Sequence, residues 1–268
     1  MPNGTKSRVR APYGRSLDLP PPFRLITLRE AGDAFAHACA VAGAEGAGTL
    51  VHVGRFDLAE LAVVLEPDAP LRTARRALYT GLCALGDALA ALAPPEKPIS
   101  FDWPDAVRID GGLVGGARLA WPQDADENEA PDWLVLAAMI RIATAAPDGE
   151  PGLAPFATTL AEEGFGEVDC GRLTEGFARH LMANIDAERE HGFDETARRY
   201  LARVPPAAGR SLQIDTRGDL LVRIKGRAIE RHALVSKLRA PSWLDPQSNA
   251  PRLDALPPGL AAERSGTP

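Results

Sequence analysis

Residues 101–119 read FDWPDAVRIDGGLVGGARL and predict two β-strands joined by a tight turn. Val107 and Ile109 alternate with polar neighbours, which is the period of a strand with one buried face. The turn at residues 110–112 (Asp-Gly-Gly) consists of residues that tolerate positive φ, as hairpin turns require. The stretch therefore predicts a β-hairpin, and we expect the rest of the chain to be organised around it.

Two further features of this stretch indicate a ligand. Gly115 and Gly116 interrupt the second strand, and glycines inside a strand often mark the close approach of a ligand or another backbone. Trp103, followed by Pro104 and Asp105, lies at the start of the first strand. An indole there can stack on a flat ligand, and a carboxylate can accept a hydrogen bond from it. The alternative is that Trp103 is a core residue and that the glycines form a β-bulge.

The stretch resembles the signature Lys-Trp-Pro-Asn-Asp, followed by Lys-x-x-Gly, of the biotin and lipoate protein ligase family. Trp103 and Pro104 match this signature, and Asp105 stands where the family has Asn. Gly115 and Gly116 match the small residues of the second strand. In that family the segment lines the pocket for the vitamin ring and the acyl-adenylate, so the resemblance implies that these five residues bind the substrate.

The charged positions of the signature differ in this chain. Asp102 replaces the first lysine, Ala106 replaces the second acid, and the lysine of the second strand falls on Leu113. The family uses that lysine to bind the reacting carboxylate and phosphate. Lys97 is the only lysine near the signature. We therefore expect Lys97 to replace the missing cation as a catalytic residue, with an ordinary loop lysine as the alternative.

A second candidate cation follows an earlier strand. Residues 49–53 alternate as a strand, and residues 61–65 form a continuously apolar one. In the family a long Gly-Arg-Gly-rich loop joins the corresponding strands and closes over the adenylate phosphates, but here the connection is short. The resemblance implies that Arg55 in this connection is a catalytic residue that holds an anionic oxygen, unless it is an ordinary surface arginine. His52 and Arg118 complete the candidate substrate-binding residues, with a structural histidine as the alternative for His52.

Apolar periodicity and capping residues predict the helices. Thr27 and Glu30 have the spacing of a capping box before an alanine-rich face. Residues 71–92 carry leucines at three- and four-residue steps, which indicates a single amphipathic helix. Asp169 can cap another helix. Residues 211–235 are expected to form a hairpin and further short strands.

The order of these elements predicts an α+β fold. We expect a mixed or antiparallel sheet with helices packed on it, similar to class II synthetases and biotin ligases, followed by a small C-terminal β unit. The predicted divisions are a flexible arm at 1–22, a ligase-like catalytic domain at 23–205, a small β domain at 209–240 and a disordered tail at 246–268.

Composition excludes several functional classes. The net charge of −6 argues against a broad electrostatic grip on nucleic acid. The three cysteines are widely spaced, so neither a metal site nor a disulfide framework is predicted, and a reducing cytoplasm is expected. No apolar run reaches the roughly 18 residues that a membrane span needs, so no membrane association is expected.

The resemblance implies an enzyme that adenylates biotin, lipoate or octanoate with ATP and Mg²⁺. Such an enzyme passes the acyl group to a lysine of a biotinyl or lipoyl carrier domain. The missing lysines leave two alternatives open: a non-catalytic member that binds a carrier domain or a small carboxylic acid, and a transferase that takes a pre-activated acyl group. A homodimer is also left open.

Overall fold

The structure, a computed structural model, describes residues 17–144 and 154–256. The main sheet contains β1 (Arg24–Leu28), β2 (Thr49–Val53), β3 (Leu58–Leu65), β4 (Ile99–Asp102), β5 (Ala106–Ile109), β6 (Gly112–Ala120) and β7 (Leu134–Arg141). The order of its seven strands is β1-β2-β3-β7-β6-β5-β4. Strands β1 and β2 are parallel, and the other neighbours are antiparallel. The predicted mixed sheet and the β5–β6 hairpin are confirmed.

The helices of the described residues are α1 (Ala34–Glu45), α2 (Leu71–Ala74), α3 (Ala77–Ala90), α4 (Cys170–His191), α5 (Phe193–Leu201) and α6 (Leu234–Leu238). Helices α3, α4 and α5 pack on one face of the sheet, which we call the helix face, and enclose the main core there. Leu82 and Leu85 of α3 and Phe177 of α4 are completely or almost completely buried in this core. Full burial of such a side chain stabilises the fold by roughly 1.5–3 kcal/mol.

The opposite face of the sheet is covered in two parts. Helix α1 lies over β2, β3 and β7, where Ala34, Ala38 and Ala42 bring the helix close to the strands because their side chains are short. Residues 241–255, which we call the C-terminal clasp, lie over β6 and β7. The clasp contains β11 (Leu244–Asp245) and β12 (Ala250–Pro251), which pair with each other and not with the main sheet.

The C-terminal β unit contains β8 (Arg210–Ile214), β9 (Leu220–Ile224) and β10 (Glu230–His232) in the antiparallel order β10-β9-β8. It packs on the main core through Ile214, Leu220 and Val222. The Tyr79 hydroxyl of α3 donates to the Gly218 carbonyl in the β8–β9 turn at 2.6 Å. The predicted small β unit is confirmed, and these contacts show that it packs on the main core.

Several element boundaries differ from the predictions. Thr27 lies in β1, so it does not cap a helix; Asp33 caps α1 instead and accepts from the Ala36 amide at 2.8 Å. The single helix predicted at 71–92 is divided into α2 and α3. The last predicted strand is α6, because its apolar residues Leu234 and Leu238 face the core at helical spacing.

Both chain ends differ in part from the sequence prediction. The predicted disordered tail, 246–268, contains β12, and residues 246–256 belong to the described structure. Residues 257–268 lie outside the described residues, as do residues 1–16 of the predicted arm. Leu19, from the remainder of the arm, packs against the main core. Across the described residues, every helix is too short or too polar to span a bilayer.

Candidate functional site

Three arginines from adjacent strands lie on the face of the sheet opposite the helix face. Arg118 of β6 pairs in register with Ala137 of β7, and Arg141 lies four residues further along β7, so both side chains project from the same face. Arg108 of β5 pairs with Leu113, whose side chain packs beneath the clasp. We call this surface, with its three guanidinium groups, the arginine face.

Arg108 is the most buried of the three, with 3% of its surface exposed. Its Nε donates to Asp102 Oδ2 at 2.6 Å, and its Nη2 donates to the Ala255 carbonyl of the clasp at 2.9 Å. Its Nη1 donates to the carbonyls of Gly111 and Phe156 at 3.0 and 3.2 Å. Burial raises the pKa of Asp102, although the Arg108 charge opposes this. Asp102 stands where the resemblance expected a lysine, and it neutralises the arginine beside it.

Arg118 joins the sheet to the start of α1. Its guanidinium carbon lies 4.0 Å from the centre of the Phe35 ring, and its Nη2 lies 3.6 Å from Asp33 Oδ1. Its Nη1 lies 3.5 Å from Asn249 Oδ1 of the clasp. Burial lowers the pKa of Arg118 because the charged form is partly removed from water. The prediction of Arg118 as a binding residue stays a prediction, now with a defined environment.

Arg141 has only neutral hydrogen-bond partners among the described residues. Its guanidinium donates to the carbonyls of Pro251 and Arg252 in the clasp, the latter at 3.4 Å. Burial lowers the pKa of Arg141. A half-buried cation whose hydrogen-bond acceptors are carbonyls is less well compensated than one that is hydrogen-bonded to a carboxylate. The arrangement therefore favours an anionic group at this position.

Two acids border the arginine face. Glu60 of β3 accepts from the Ala34 amide at the start of α1 at 2.7 Å, and burial raises the pKa of Glu60. Asp105 is 1% exposed and accepts from the Ser242 hydroxyl at 2.8 Å. Burial raises the pKa of Asp105 to about 7. The predicted binding residue Asp105 thus contacts the clasp.

Gly115 and Gly116 are each required by a different close contact. Gly115 has φ +153°, and a Cβ there would lie 1.9 Å from the Met139 carbonyl oxygen, so this glycine permits the close approach of a neighbouring strand. A Cβ on Gly116 would lie 2.4 Å from the ring of Trp243. Gly116 therefore leaves room for an indole on the arginine face. That indole belongs to the clasp and not to the signature stretch.

Trp103 contacts the main core and the C-terminal β unit, and its predicted role in substrate binding stays a prediction. Its side chain packs against the main core, and its Nε1 donates to the Tyr79 hydroxyl at 2.8 Å. Its ring lies 6.1 Å from that of His232 in the C-terminal β unit. Trp103 therefore joins the core to that unit and does not face the arginines. The carbonyl of Pro104, the next residue, accepts from the buried Tyr200 hydroxyl at 3.1 Å.

His52 and Arg55 have partners outside the set of three arginines. His52 lies in β2 on the helix face, with its Nδ1 3.1 Å from Thr174 Oγ1, and burial lowers its pKa. Arg55 forms a bidentate pair with Asp57 at 3.0 and 2.7 Å, which raises the pKa of Arg55. Each of these side chains has a partner within the protein, and the predicted roles of His52 and Arg55 stay predictions.

Lys97 is engaged near the β5–β6 turn. Its Nζ donates to Glu163 Oε2 at 2.7 Å and to Asp110 Oδ2 at 3.0 Å, and these hydrogen bonds raise its pKa. Its side chain is partly exposed. Neither partner belongs to the arginine face, and the proposed catalytic role of Lys97 gains no support from this position.

The sequence prediction did not include Arg141, Trp243 and Asn249. Strand alternation could have found Arg141, because it ends a buried apolar strand on the same face as Arg118. Trp243 and Asn249 lie in a proline-rich segment more than a hundred residues away, and no local periodicity connects them to the hairpin. Within the described ranges, no group of three or more His, Cys, Asp or Glu side chains is arranged to hold a metal ion.

Solved structures resemble this chain over most of its length. A biotin protein ligase-like protein of unknown function from Silicibacter sp. TM1040 is 29% identical, with a TM-score of 0.70, over 82% of this chain and 98% of that one. The biotin protein ligase of Aquifex aeolicus, in complex with biotin and ATP, is 17% identical with a TM-score of 0.59, over 78% and 94%. That of Leishmania major, in complex with biotinyl-5-AMP, is 15% identical with a TM-score of 0.50, over 80% and 99%. At these low identities, the two ligases demonstrate a shared fold.

The family assignment comes from the sequence itself. No curated protein matches the chain. The sequence profile of the Biotin/lipoate A/B protein ligase family matches residues 19–202, which contain the whole main sheet and helices α1 to α5. A match of this extent, together with the shared fold, establishes the relationship. The chain belongs to the biotin/lipoate A/B protein ligase family, as a divergent member.

Proposed function

We propose that the protein activates a small carboxylic acid as its adenylate and transfers the acyl group to a lysine of a carrier domain. The observation that carries this proposal is the set of three guanidinium groups on the arginine face, from Arg108, Arg118 and Arg141. In this proposal arginines replace the lysines that the family signature carries. Biotin, lipoate and octanoate are the candidate acids.

The chemistry requires cations where negative charge accumulates. The acid oxygen attacks the α-phosphorus of ATP and releases pyrophosphate, and the lysine amine then takes the acyl group and releases AMP. Arg141 suits this task because its described partners are neutral carbonyls, which phosphate or carboxylate oxygens would replace with stronger, charge-assisted hydrogen bonds. Arg118 lies 3.6 Å from Asp33, so an anion that binds this guanidinium group would displace only a long ion pair.

The residues fit the phosphates of ATP better than they fit a protein-bound metal. The described part of the chain offers no cluster of metal-binding side chains, so any Mg²⁺ would enter mainly on the phosphates of the nucleotide, as this ion commonly does. Asp102, which pairs with Arg108, and the buried acids Glu60 and Asp105 do not form a metal-binding group with one another. The proposal needs no further metal ligand from the protein.

A second candidate function is the binding of an acid or of a biotinyl or lipoyl carrier domain without catalysis. The ion pair between Arg108 and Asp102 favours it, because this pair neutralises charge where the family has a lysine. A transferase that uses a pre-activated acyl donor would also need fewer phosphate contacts.

ATP–pyrophosphate exchange with biotin, lipoate and octanoate in turn tests the proposal. We expect exchange with one of these acids, and a loss on the order of 10² to 10³ in rate for Arg118→Ala, as for other groups that stabilise developing charge. Arg223 of β9 is exposed, so Arg223→Ala is the matched control and should leave the rate unchanged.

If none of the three acids supports exchange, the proposed adenylation is contradicted. Binding of a biotinyl or lipoyl domain by the same protein would then support the second candidate. Exchange that survives Arg118→Ala unchanged would remove the arginine face from the reaction.

A further inference from the structure

The clasp occupies the surface that the proposed ligand needs. Trp243 is 1% exposed, lies against Gly116 and donates its Nε1 to the Ala117 carbonyl at 3.1 Å. It fills the middle of the arginine face with a flat ring. A vitamin ring or acyl chain placed against Gly116 would overlap this indole.

The clasp also satisfies each of the three arginines. Arg108 donates to the Ala255 carbonyl, Arg118 approaches the Asn249 amide oxygen, and Arg141 donates to the carbonyls of residues 251 and 252. Every one of these acceptors is neutral. The clasp therefore imitates the hydrogen bonds of an anionic ligand without supplying its charge, and an acyl-adenylate would compete for the same donors.

The clasp is built so that it can leave as a unit. Its two short strands pair only with each other, so its release breaks no hydrogen bond of the main sheet ladder. The turn between them is held internally: Asp245 accepts from the Gln247 amide at 2.9 Å, and the Asp245 carbonyl accepts from the Asn249 amide at 2.9 Å. The Arg252 amide donates to the Trp243 carbonyl at 2.7 Å.

The attachments of the clasp to the rest of the protein are mostly polar. Its buried apolar side chains are Trp243, Leu244 and Pro251. Ser242 donates to Asp105, and Asn249 Nδ2 donates to Asp33 Oδ2 at 3.0 Å. A segment with three buried apolar side chains and mostly polar contacts has a lower opening free energy than the packed helices of the core.

We propose that the C-terminal clasp is an internal competitor that closes the acyl-adenylate site, so that ligand binding requires its release. The inference rests on the proposed function, because it concerns the same arginine face. If the ligand binds only molecules with an open clasp, its apparent dissociation constant is the intrinsic constant divided by the open fraction. Variants that loosen the clasp should therefore bind the ligand more tightly.

Non-hydrolysable acyl-sulfamoyl-adenosine analogues of biotin, lipoate and octanoate are the probes, and calorimetry measures their dissociation constants for the full chain. Asn249→Gly removes the contacts to Asp33 and Arg118 but suits the backbone, since Asn249 has φ +49°. Trp243→Ala empties the space over Gly116. Leu253→Ala is the control, because Leu253 belongs to the clasp but is 57% exposed.

We expect Asn249→Gly and Trp243→Ala each to bind one analogue about tenfold more tightly than the unaltered chain, and Leu253→Ala to bind it equally. Hydrogen exchange in residues 241–255 should become faster when that analogue is added to the unaltered chain. Asn249→Gly keeps the indole in place, so it tests the proposal even if Trp243→Ala does not fold.

Three results would overturn the inference, and they can be distinguished. Equal affinity of the unaltered chain and Asn249→Gly, with unchanged exchange in the clasp, would leave the ligand site intact and refute the competitor. Weaker binding by Asn249→Gly would make the clasp part of the ligand site. If neither protein binds any analogue, the proposed function itself fails, and the competitor with it.

Discussion

At the scale of single residues, Arg141 differs from the other candidate cations because no carboxylate contacts it in the described structure. Arg55 and Lys97 are cations with carboxylate partners, whereas Arg141 contacts only neutral oxygens within the described structure. A cation with no carboxylate in contact is the better candidate for binding an anion, because it loses no ion pair when the ligand arrives.

Asp105 gives a prediction for pH dependence. Burial raises its pKa to about 7 in the folded protein, well above the ordinary range of a carboxyl group. The stabilisation from the neutral acid is fully present below the unfolded pKa and is lost as pH rises through the folded pKa. Asp105→Asn restores the family residue and removes this titration. We expect the free energy of unfolding of the variant, minus that of the unaltered chain, to increase by roughly 1 kcal/mol for each pH unit from pH 5 to pH 7.

Urea unfolding of both proteins at pH 5, 6 and 8 measures this difference. The comparison isolates Asp105, since all other titrating groups are common to the two chains. A difference that stays constant across the range would mean that Asp105 is ionised at pH 5 and that the Ser242 contact holds a carboxylate there.

The residues that form the hairpin and the candidate site can be predicted in part from the sequence. The hairpin residues and the two glycines are predictable because strand alternation and glycine chemistry are local signals. The surroundings of Trp103 could not be predicted, because this residue lies in the turn between β4 and β5, where alternation does not fix the side chain. The indole on the arginine face, Trp243, is far away in sequence, and no local signal places it there.

At the scale of elements, β6 is the strand on which both the sheet and the clasp depend. Its register against β5 shifts between Val107 and Arg108, and this irregularity lets Arg108 and Leu113 lie together beneath the clasp. Most strands are predictable, because their apolar runs are long and their turns contain glycine. The start of α1 is not, because Thr27 offers a capping signal that the pairing of β1 with β2 overrides.

Gly116 gives a prediction for this element. A Cβ there would lie 2.3 Å from the Asp105 carbonyl oxygen and 2.4 Å from Trp243, so Gly116→Ala should lower the free energy of unfolding by about 1–3 kcal/mol. Gly43 lies inside α1, and a Cβ at that position would have no other atom within 4 Å, so Gly43→Ala is the matched control.

Gly43→Ala should raise stability by up to about 1 kcal/mol, because alanine is the better helix former. Thermal and urea unfolding measure both variants. If Gly116→Ala is as stable as the unaltered chain, Trp243 of the clasp does not pack closely against β6.

At the scale of the whole molecule, one sheet supports two different layers. The helix face carries the stable core and the C-terminal β unit, which are joined through Trp103 and Tyr79. The other face carries the arginines beneath a segment held by few apolar contacts. The fold class is predictable because the order of elements is preserved in the family. The role of residues 246–255 is not, because their contacts are made entirely by tertiary packing.

The central claim is that the arginine face, and not the surroundings of Trp103, binds the acyl-adenylate. The direct test is the affinity, measured by calorimetry, for the acyl-sulfamoyl-adenosine analogue that binds best. The substitutions are made in the Asn249→Gly variant, in which the clasp is already loosened. A further loosening of the clasp by Arg141→Ala then does not hide the loss of the contact to the ligand. We predict that Arg141→Ala weakens binding by about 10- to 100-fold, as expected for a lost charged hydrogen bond, while Trp103→Phe changes it less than about twofold. Unchanged affinity in Arg141→Ala, with binding lost in Trp103→Phe, would contradict the account.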